Sequence, residues 1–196
     1  MKLLGRWETK VEVKDPGLKN YILLSPQLVP SSHGRFSTKP FQKARMNLLE
    51  RFANKLCVPG HFGKRHKLSS GRLTGKKEKK FLLLLKALEK IEQRTKKNPL
   101  EILVRAVENA ALREEIAGYQ VGGIIVRRAV VTSPQRRINL ALSNLAQAAY
   151  RKSFGKKIGI VDALVDELLG AYQNDPSKSA AVKEKERIEK EAEGAR

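Results

Sequence analysis

Apolar residues recur at spacings of three and four along most of this chain, and that spacing predicts helices. Over 40–57, Phe41, Ala44, Leu48, Leu49, Phe52 and Leu56 fall on one stripe, with Thr38 as the expected cap and Pro59-Gly60 as the stop. A second helix over 76–97 carries Phe81, Leu84, Leu85, Leu88 and Ile91. Leu82 and Leu83 widen its apolar face, which predicts a central position. Asn98-Pro99-Leu100-Glu101 starts a third helix. Asn caps it, Pro takes the first position without needing an N–H, and Glu101 is placed to reach back to the cap. Leu100, Leu103, Val104, Val107 and Ala111 form its apolar side.

After 115 the period changes from helical to two. The runs 116–121 and 124–131, joined by Gly122-Gly123, predict a β-hairpin over 115–132. Alternation puts Arg127 and Arg128 on opposite faces, so at least one is exposed. A lone two-stranded hairpin is marginal in water, so it packs on the helices or protrudes and is steadied by a partner. Ser133-Pro134 opens a fourth helix by the same cap-then-proline device, with Ile138, Ala141, Leu142, Leu145 and Ala149 inward. Gly155 breaks the chain before a fifth helix over 158–172, lined by Val161, Leu164, Val165, Leu168 and Leu169. Asp175-Pro176 begins a sixth, whose alternating charge leaves Val182 and Ile188 as its main anchors and predicts exposure or a partner. Residues 1–39, broken by Pro16, Pro26 and Pro30, read as an extended N-terminal arm with a short strand where 7–13 alternates. The expected fold is mostly α: a six-helix bundle with one protruding hairpin, in a single helical domain over 40–196. A Gly-rich basic loop interrupts it at 58–75.

Charge sharpens this picture. The 196 residues hold 40 Lys+Arg against 20 Asp+Glu, a net charge of +20. The excess sits in two blocks: 34–80, with only Glu50 and Glu78 as acids, and 116–161, with no acid at all. Charge placed only for solubility would be interspersed. Nucleic acid is the default partner, ahead of an anionic membrane surface. No apolar run approaches the ~18 residues of a membrane span. The first residues are too quickly charged for a signal peptide, so a cytosolic location is expected. The lone cysteine, Cys57, excludes an internal disulfide and a multi-Cys zinc site, and is expected in the core of the first helix.

Catalytic signatures fail on their chemistry. Gly71-Arg72-Leu73-Thr74-Gly75-Lys76-Lys77 has three residues between its glycines where a P-loop has four, and Lys77 stands where magnesium needs a hydroxyl. His61 and His66 have no partner carboxylate nearby in sequence, and zinc needs three or four ligands. Ser133 reads as a helix cap. The acids sit among lysines on helix faces. No enzyme, cofactor or metal site is expected.

The case for RNA rests on placement. Lys76 and Lys77, Arg136 and Arg137, and Lys156 and Lys157 fall in the first turns of predicted helices. Cations there oppose the helix dipole, and a phosphate would compensate them. The loop cations Lys64, Arg65, Lys67 and Arg72 belong to a segment suited to ordering on folded RNA, as does the arm. Lys43, Lys79, Lys80, Arg113, Arg151 and Lys152 complete the candidate RNA-binding set. Eleven aromatics, several of them core-like, argue against a base-stacking platform and for recognition of phosphate and shape. Arg136→Glu with Arg137→Glu is expected to spare the helices while weakening RNA binding.

The order and spacing of several motifs resemble one family. Asn98-Pro99-Leu100-Glu101, Ala106-Val107-Glu108-Asn109, Val121-Gly122-Gly123, Ser133-Pro134-Gln135-Arg136-Arg137 and Ala148-Ala149 are similar to the small-subunit ribosomal protein S-seven family, over 41–57 and 76–193. The arm and the 58–75 loop look like its archaeal or eukaryotic branch. The resemblance implies a six-helix fold in the head of the small ribosomal subunit, in the cytoplasm. It implies binding to the three-prime major domain of the rRNA and a part in head assembly. It also puts the hairpin, with Gly122, Gly123, Arg127 and Arg128, near exit-site tRNA and the mRNA path, and the C-terminal region against a neighbouring head protein. The alternative reading is a sequence-specific DNA-binding regulator, with Arg136, Arg137, Asn139, Asn144 and Gln147 of the fourth helix as base readers.

Overall fold

Helix follows helix in the computed structural model, which describes residues 2–38, 40–58, 60–62, 65, 66, 68 and 75–196. Strands β1 (Lys2–Leu3) and β2 (Trp7–Glu8) pair first. Then come α1 (Leu48–Leu56), the short pair β3 (His61–Phe62) and β4 (Arg65–His66), α2 (Lys77–Thr95) and α3 (Pro99–Ala110). The hairpin β5 (Glu114–Val121) and β6 (Ile124–Val131) precedes α4 (Pro134–Ser153), α5 (Ile160–Tyr172) and α6 (Ala180–Glu193).

The mostly helical class and the hairpin agree with the sequence. The middle of the bundle does not. Leu82 is more than half exposed, so α2 is not central. That place belongs to α3, where Leu100, Ile102, Leu103, Val104, Ala106, Val107 and Ala110 are all buried. Short Ala and Val side chains let α3 be covered on several sides at once, by α2, α4, α5 and α6. Its start follows the expected chemistry: Asn98 Oδ1 accepts from Leu100 N–H at 3.1 Å, and Pro99 occupies the first turn.

The first helix is shorter than expected. Residues Gln42–Arg45 form a 3-10 turn, and Asn47 rather than Thr38 caps α1, accepting from Leu49 N–H. Thr38 donates instead to Arg35 O. Phe41, assigned to the apolar stripe, is 85% exposed. Cys57 is the C-cap of α1 and only part-buried, which corrects its core placement. Between α1 and α2 the chain is not structureless: β3 pairs with β4, and Gly75 N–H closes the neck by donating to Cys57 O at 3.0 Å.

The N-terminal residues are part of the core. Leu3, Trp7, Leu18 and Ile22 are buried with the helices. The Trp7 indole donates to Glu92 at 2.9 Å, and Asn98 Nδ2 donates to Glu8 O. The last helix also has its partners within the chain. Ser179, not Asp175-Pro176, caps α6, and Ala181, Val182 and Ala192 are buried. Lys185 donates to Asn109 O, and Glu189 accepts from Arg113 N–H.

Beyond its base the hairpin leaves the bundle. Gly122 (φ 55) and Gly123 (φ 89) turn it, the pair of positive φ values that a type I′ turn requires. A β-branched residue is strained there. Gly123→Val should therefore unzip the hairpin at a cost of about 1–2 kcal/mol. Because the hairpin covers so little of the core, the global thermal midpoint should hold while amide protection along 118–127 falls. A matching fall in the midpoint would show the hairpin to be part of the cooperative unit.

Candidate nucleic-acid interface

The expected RNA-binding cations fall into three groups by what they touch. The first group is already neutralised within the chain. Arg137 Nη2 donates to Asp15 Oδ2 at 2.6 Å and its Nε to Leu112 O at 3.0 Å. Arg136 forks onto Glu115 at the hairpin base, which raises its pKa through that hydrogen bond. Lys77 meets the buried carboxylate of Glu50, which also accepts from Ser32 N–H and Oγ–H. Lys152 pairs with the buried Glu167 at 2.6 Å. Side chains remote in sequence thus supply the counter-charge that a phosphate was expected to supply at the starts of α2 and α4. The third of those helix starts is not one. Lys156 and Lys157 precede the Gly159 N-cap of α5 and lie in the turn after α4. Ser133 caps α4 by position only, with no side-chain bond to the helix.

The second group is exposed. It includes Lys43, Lys76, Lys79, Arg113, Arg151, Lys156 and Lys157. Lys76 adopts the left-handed conformation as N-cap of α2. On the hairpin, Ala117 pairs with Arg128 and Gly118 with Arg127, and both arginines are exposed. Around them Tyr119, Val121, Ile124, Ile125 and Val131 are also exposed, an apolar ribbon the charge pattern did not reveal. The third group, Lys64, Lys67 and Arg72, lies outside the described residues, as does the side chain of Arg65. Lys80 stands apart: its side chain is buried, and burial pushes its pKa down.

One surface gathers several polar groups. A groove runs between α1 and the first half of α4, continuing beside residues 36–43. Lys43, Arg51 and Lys55 line it, with Arg136 at one end, held by Glu115. Asn54, Asn139, Ser143 and the exposed ring of Phe41 add hydrogen-bonding and stacking capacity. No carboxylate is among the described residues that line it. Of these residues, sequence reasoning put only Lys43 and Arg136 in the RNA-binding set. Arg51 and Lys55 stood in the acid-poor block and are four apart on one helix, so they share a face. The i, i+4 spacing of two cations in an acid-poor block is the sequence signal for this face.

Asn139 and Gln147, the proposed base readers of a DNA-binding helix, are engaged inside the chain. Asn139 Oδ1 accepts from Arg51 Nη2 at 3.2 Å. Gln147 accepts from Gly60 N–H at 2.8 Å and donates to Val58 O. With Asn139 Oδ1 and both polar atoms of Gln147 occupied, neither amide is free for the bidentate contact that reads a base. Among the described residues, no cluster of three or more His, Cys, Asp or Glu could hold a metal, and no helix is long and apolar enough to cross a membrane.

Comparison with known proteins agrees with this architecture. The family model described as Ribosomal protein S7p/S5e matches residues 18–196. The chain belongs to that family. The match reaches further toward the N-terminus than the motifs do, in keeping with the burial of Leu18 and Ile22. Small ribosomal subunit protein uS7 of Nanoarchaeum equitans is 46% identical, over 100% of this chain and 99% of its own length. The proteins of the same name from Archaeoglobus fulgidus and Methanococcus maripaludis (strain S2) are 40% and 42% identical. They cover 99% and 100% of this chain, and 94% and 99% of their own lengths. These archaeal S7p/S5e relatives span the arm and the 58–75 loop. The family is one of structural ribosomal proteins, not of enzymes.

Proposed function

We propose that this chain is a structural constituent of the small ribosomal subunit that binds the rRNA of the head, the three-prime major domain, and promotes head assembly. The observation that carries the reading is the groove between α1 and α4, with no carboxylate among the described residues that line it and exposed cations around it, on a protein of its ribosomal family. Cations without carboxylate partners release counterions on meeting phosphate, and that release drives affinity. The hairpin extends away from the helices with Arg127 and Arg128 exposed on opposite faces, and its apolar ribbon needs cover. Its role in this proposal is to approach exit-site tRNA and the mRNA path. Neighbouring head proteins meet the C-terminal region, and the work is done in the cytoplasm without cofactor or metal.

The test is binding to a head-domain rRNA fragment against a DNA duplex of equal length, across a salt series. The rRNA should win at every salt concentration. Lys156→Glu with Lys157→Glu should flatten the salt dependence by about one phosphate per lost contact, with the fold intact, because these side chains are exposed. Equal affinity for rRNA and DNA would sink the specific reading.

A further inference from the structure

We propose that the groove between α1 and α4 is a dedicated seat for one phosphate group of the RNA backbone, at the point where Lys43, Arg51 and Lys55 converge. The inference rests on the RNA-binding reading and names the ligand chemistry of one part of that surface.

Three observations support it. The first is how the chain treats its other inward cations. Arg137, Lys77, Arg105 and Lys152 each meet a carboxylate. Arg51 does not. Arg51 is 5% exposed, yet among the described residues it donates only to neutral acceptors, Tyr21 O at 3.0 Å and Asn139 Oδ1 at 3.2 Å. Its Nε is buried without a hydrogen-bond partner among the described residues. A buried charge left without a counter-charge is costly, and proteins keep one where a ligand supplies it. Lys80 also lacks a carboxylate partner among the described residues, but it is not among those lining the groove.

The second observation is crowding. Lys55 lies four residues along α1 from Arg51, and Lys43 faces the same groove. Burial pushes the Lys55 ammonium down, and the positive charges of Lys43 and Arg51 push it further. Burial also lowers the Arg51 guanidinium to about 10. The free protein therefore holds three mutually repelling cations around one opening. The third observation is the lining. Arg51 occupies the oxygen of Asn139, which leaves that side chain's NH2 to donate. Asn54 and Ser143 add further donors. Cations with amide and hydroxyl donors, and no acid, make a site for a tetrahedral oxyanion.

A phosphodiester and a free anion share this chemistry, so two measurements on the full chain separate them. The first is thermal unfolding in sulfate against chloride at equal ionic strength. Sulfate strengthens burial in any protein, so the readout is the difference between variants. Wild type should gain more from sulfate than Lys55→Gln does. Without sulfate, Lys55→Gln should be at least as stable as wild type, because a repulsion has been removed. The second is the salt dependence of binding to the rRNA fragment. Lys55→Gln should flatten the slope by about 0.7–0.9, whereas Lys156→Gln should flatten it without touching the sulfate gain.

Full retention of the sulfate gain in Lys55→Gln overturns the site, and so does its destabilisation in chloride, which would make Lys55 a fold residue. A lost sulfate gain with an unchanged rRNA slope overturns the RNA source and leaves a free-anion site. A wild-type chain that prefers rRNA while Lys55→Gln binds it equally well removes the phosphate seat but not the RNA reading. Failure of that reading shows separately, as equal binding to rRNA and DNA by wild type.

Discussion

Arg137→Glu should destabilise the protein by about 2–4 kcal/mol, while Arg136→Glu should cost under about 1 kcal/mol. The two arginines are neighbours in the first turn of α4, and the sequence gives no reason to separate them. Their surroundings do. The Arg137 side chain is 11% exposed, clamped between Asp15 and the Leu112 carbonyl. Glutamate there would face the Asp15 carboxylate, strand the Leu112 acceptor and loosen the N-terminal segment that delivers Leu18 to the core. Breaking one side of a buried pair costs about 3–5 kcal/mol, and the partial exposure of Asp15 trims that. Arg136 is mostly exposed, so water replaces much of what Glu115 offers. Chemical denaturation of the two single variants is the measurement. Equal, small losses would show Arg137 to be a surface cation. The expectation that both can be reversed without harm to the fold is therefore revised for Arg137, whose side chain is clamped inside the chain.

The same pair makes a statement about pH. Burial alone would raise the Asp15 carboxyl. The hydrogen bonds from Arg137 and from Gly17 N–H, with the charges of Arg137 and Arg113, outweigh it and hold the pKa below its ordinary 3.8. A carboxyl whose folded pKa is depressed stabilises fully above its unfolded pKa and loses that contribution as pH falls through the folded value. Wild type should therefore lose this contribution only below about pH 4. Arg137→Glu should have none to lose, so the gap between the two should narrow on acidification.

Much of the architecture was legible because it is local. Helical spacing, the Asn98-Pro99 start and the Gly122-Gly123 turn each depend on a few adjacent residues, and the start of α3 and the turn of the hairpin appear where the pattern put them. The misplaced features are those decided at long range. Phe41 has the right spacing for the α1 stripe, but the chain only becomes α-helical at Leu48, so the ring turns outward. Leu82 widens the apolar face of α2, yet α2 lies at the side of the bundle and leaves that side chain more than half exposed. Trp7 and Leu18 lie in proline-broken sequence with no helical period. They are buried because separate helices form a surface for them. The cations behaved likewise. That Lys77 meets Glu50, or Arg137 meets Asp15, depends on contacts spanning 27 and 122 residues. No local rule marks such a cation as already spent. The acid-poor block did mark the region of Arg51 and Lys55, because a scarcity of acids over many residues survives most foldings of them.

Glu167→Ala should cost about 3–4 kcal/mol, and its effect should be greatest in α6. Glu167 is fully buried on α5. Its Oε1 accepts from Ser179 Oγ–H at 2.6 Å and from Ala181 N–H at 3.0 Å, which are the cap and second residue of α6. Its Oε2 lies 2.6 Å from Lys152 Nζ on α4. One carboxylate therefore ties three helices together and serves the exposed N–H groups of a helix start, where negative charge is favoured. Alanine would leave a cavity, an unserved α6 N-terminus and a half-buried lysine with only the Lys178 carbonyl. Glu167→Gln separates these contributions. If the cap dominates, glutamine keeps an acceptor and stays near wild type. If the charge dominates, glutamine falls close to alanine. Chemical denaturation gives the total, and amide exchange along α6 locates it. A loss under about 1 kcal/mol for alanine, with α6 protection unchanged, would show that α6 is held by its other contacts, the buried Ala181, Val182 and Ala192 and the bonds of Lys185 and Glu189. The consequence would extend past stability, because α6 packs against the base of the hairpin, and Arg196 just beyond it pairs with Glu114. Releasing α6 frees the hairpin at its root, so the variant should also lose hairpin protection that Gly123→Val loses only at the tip.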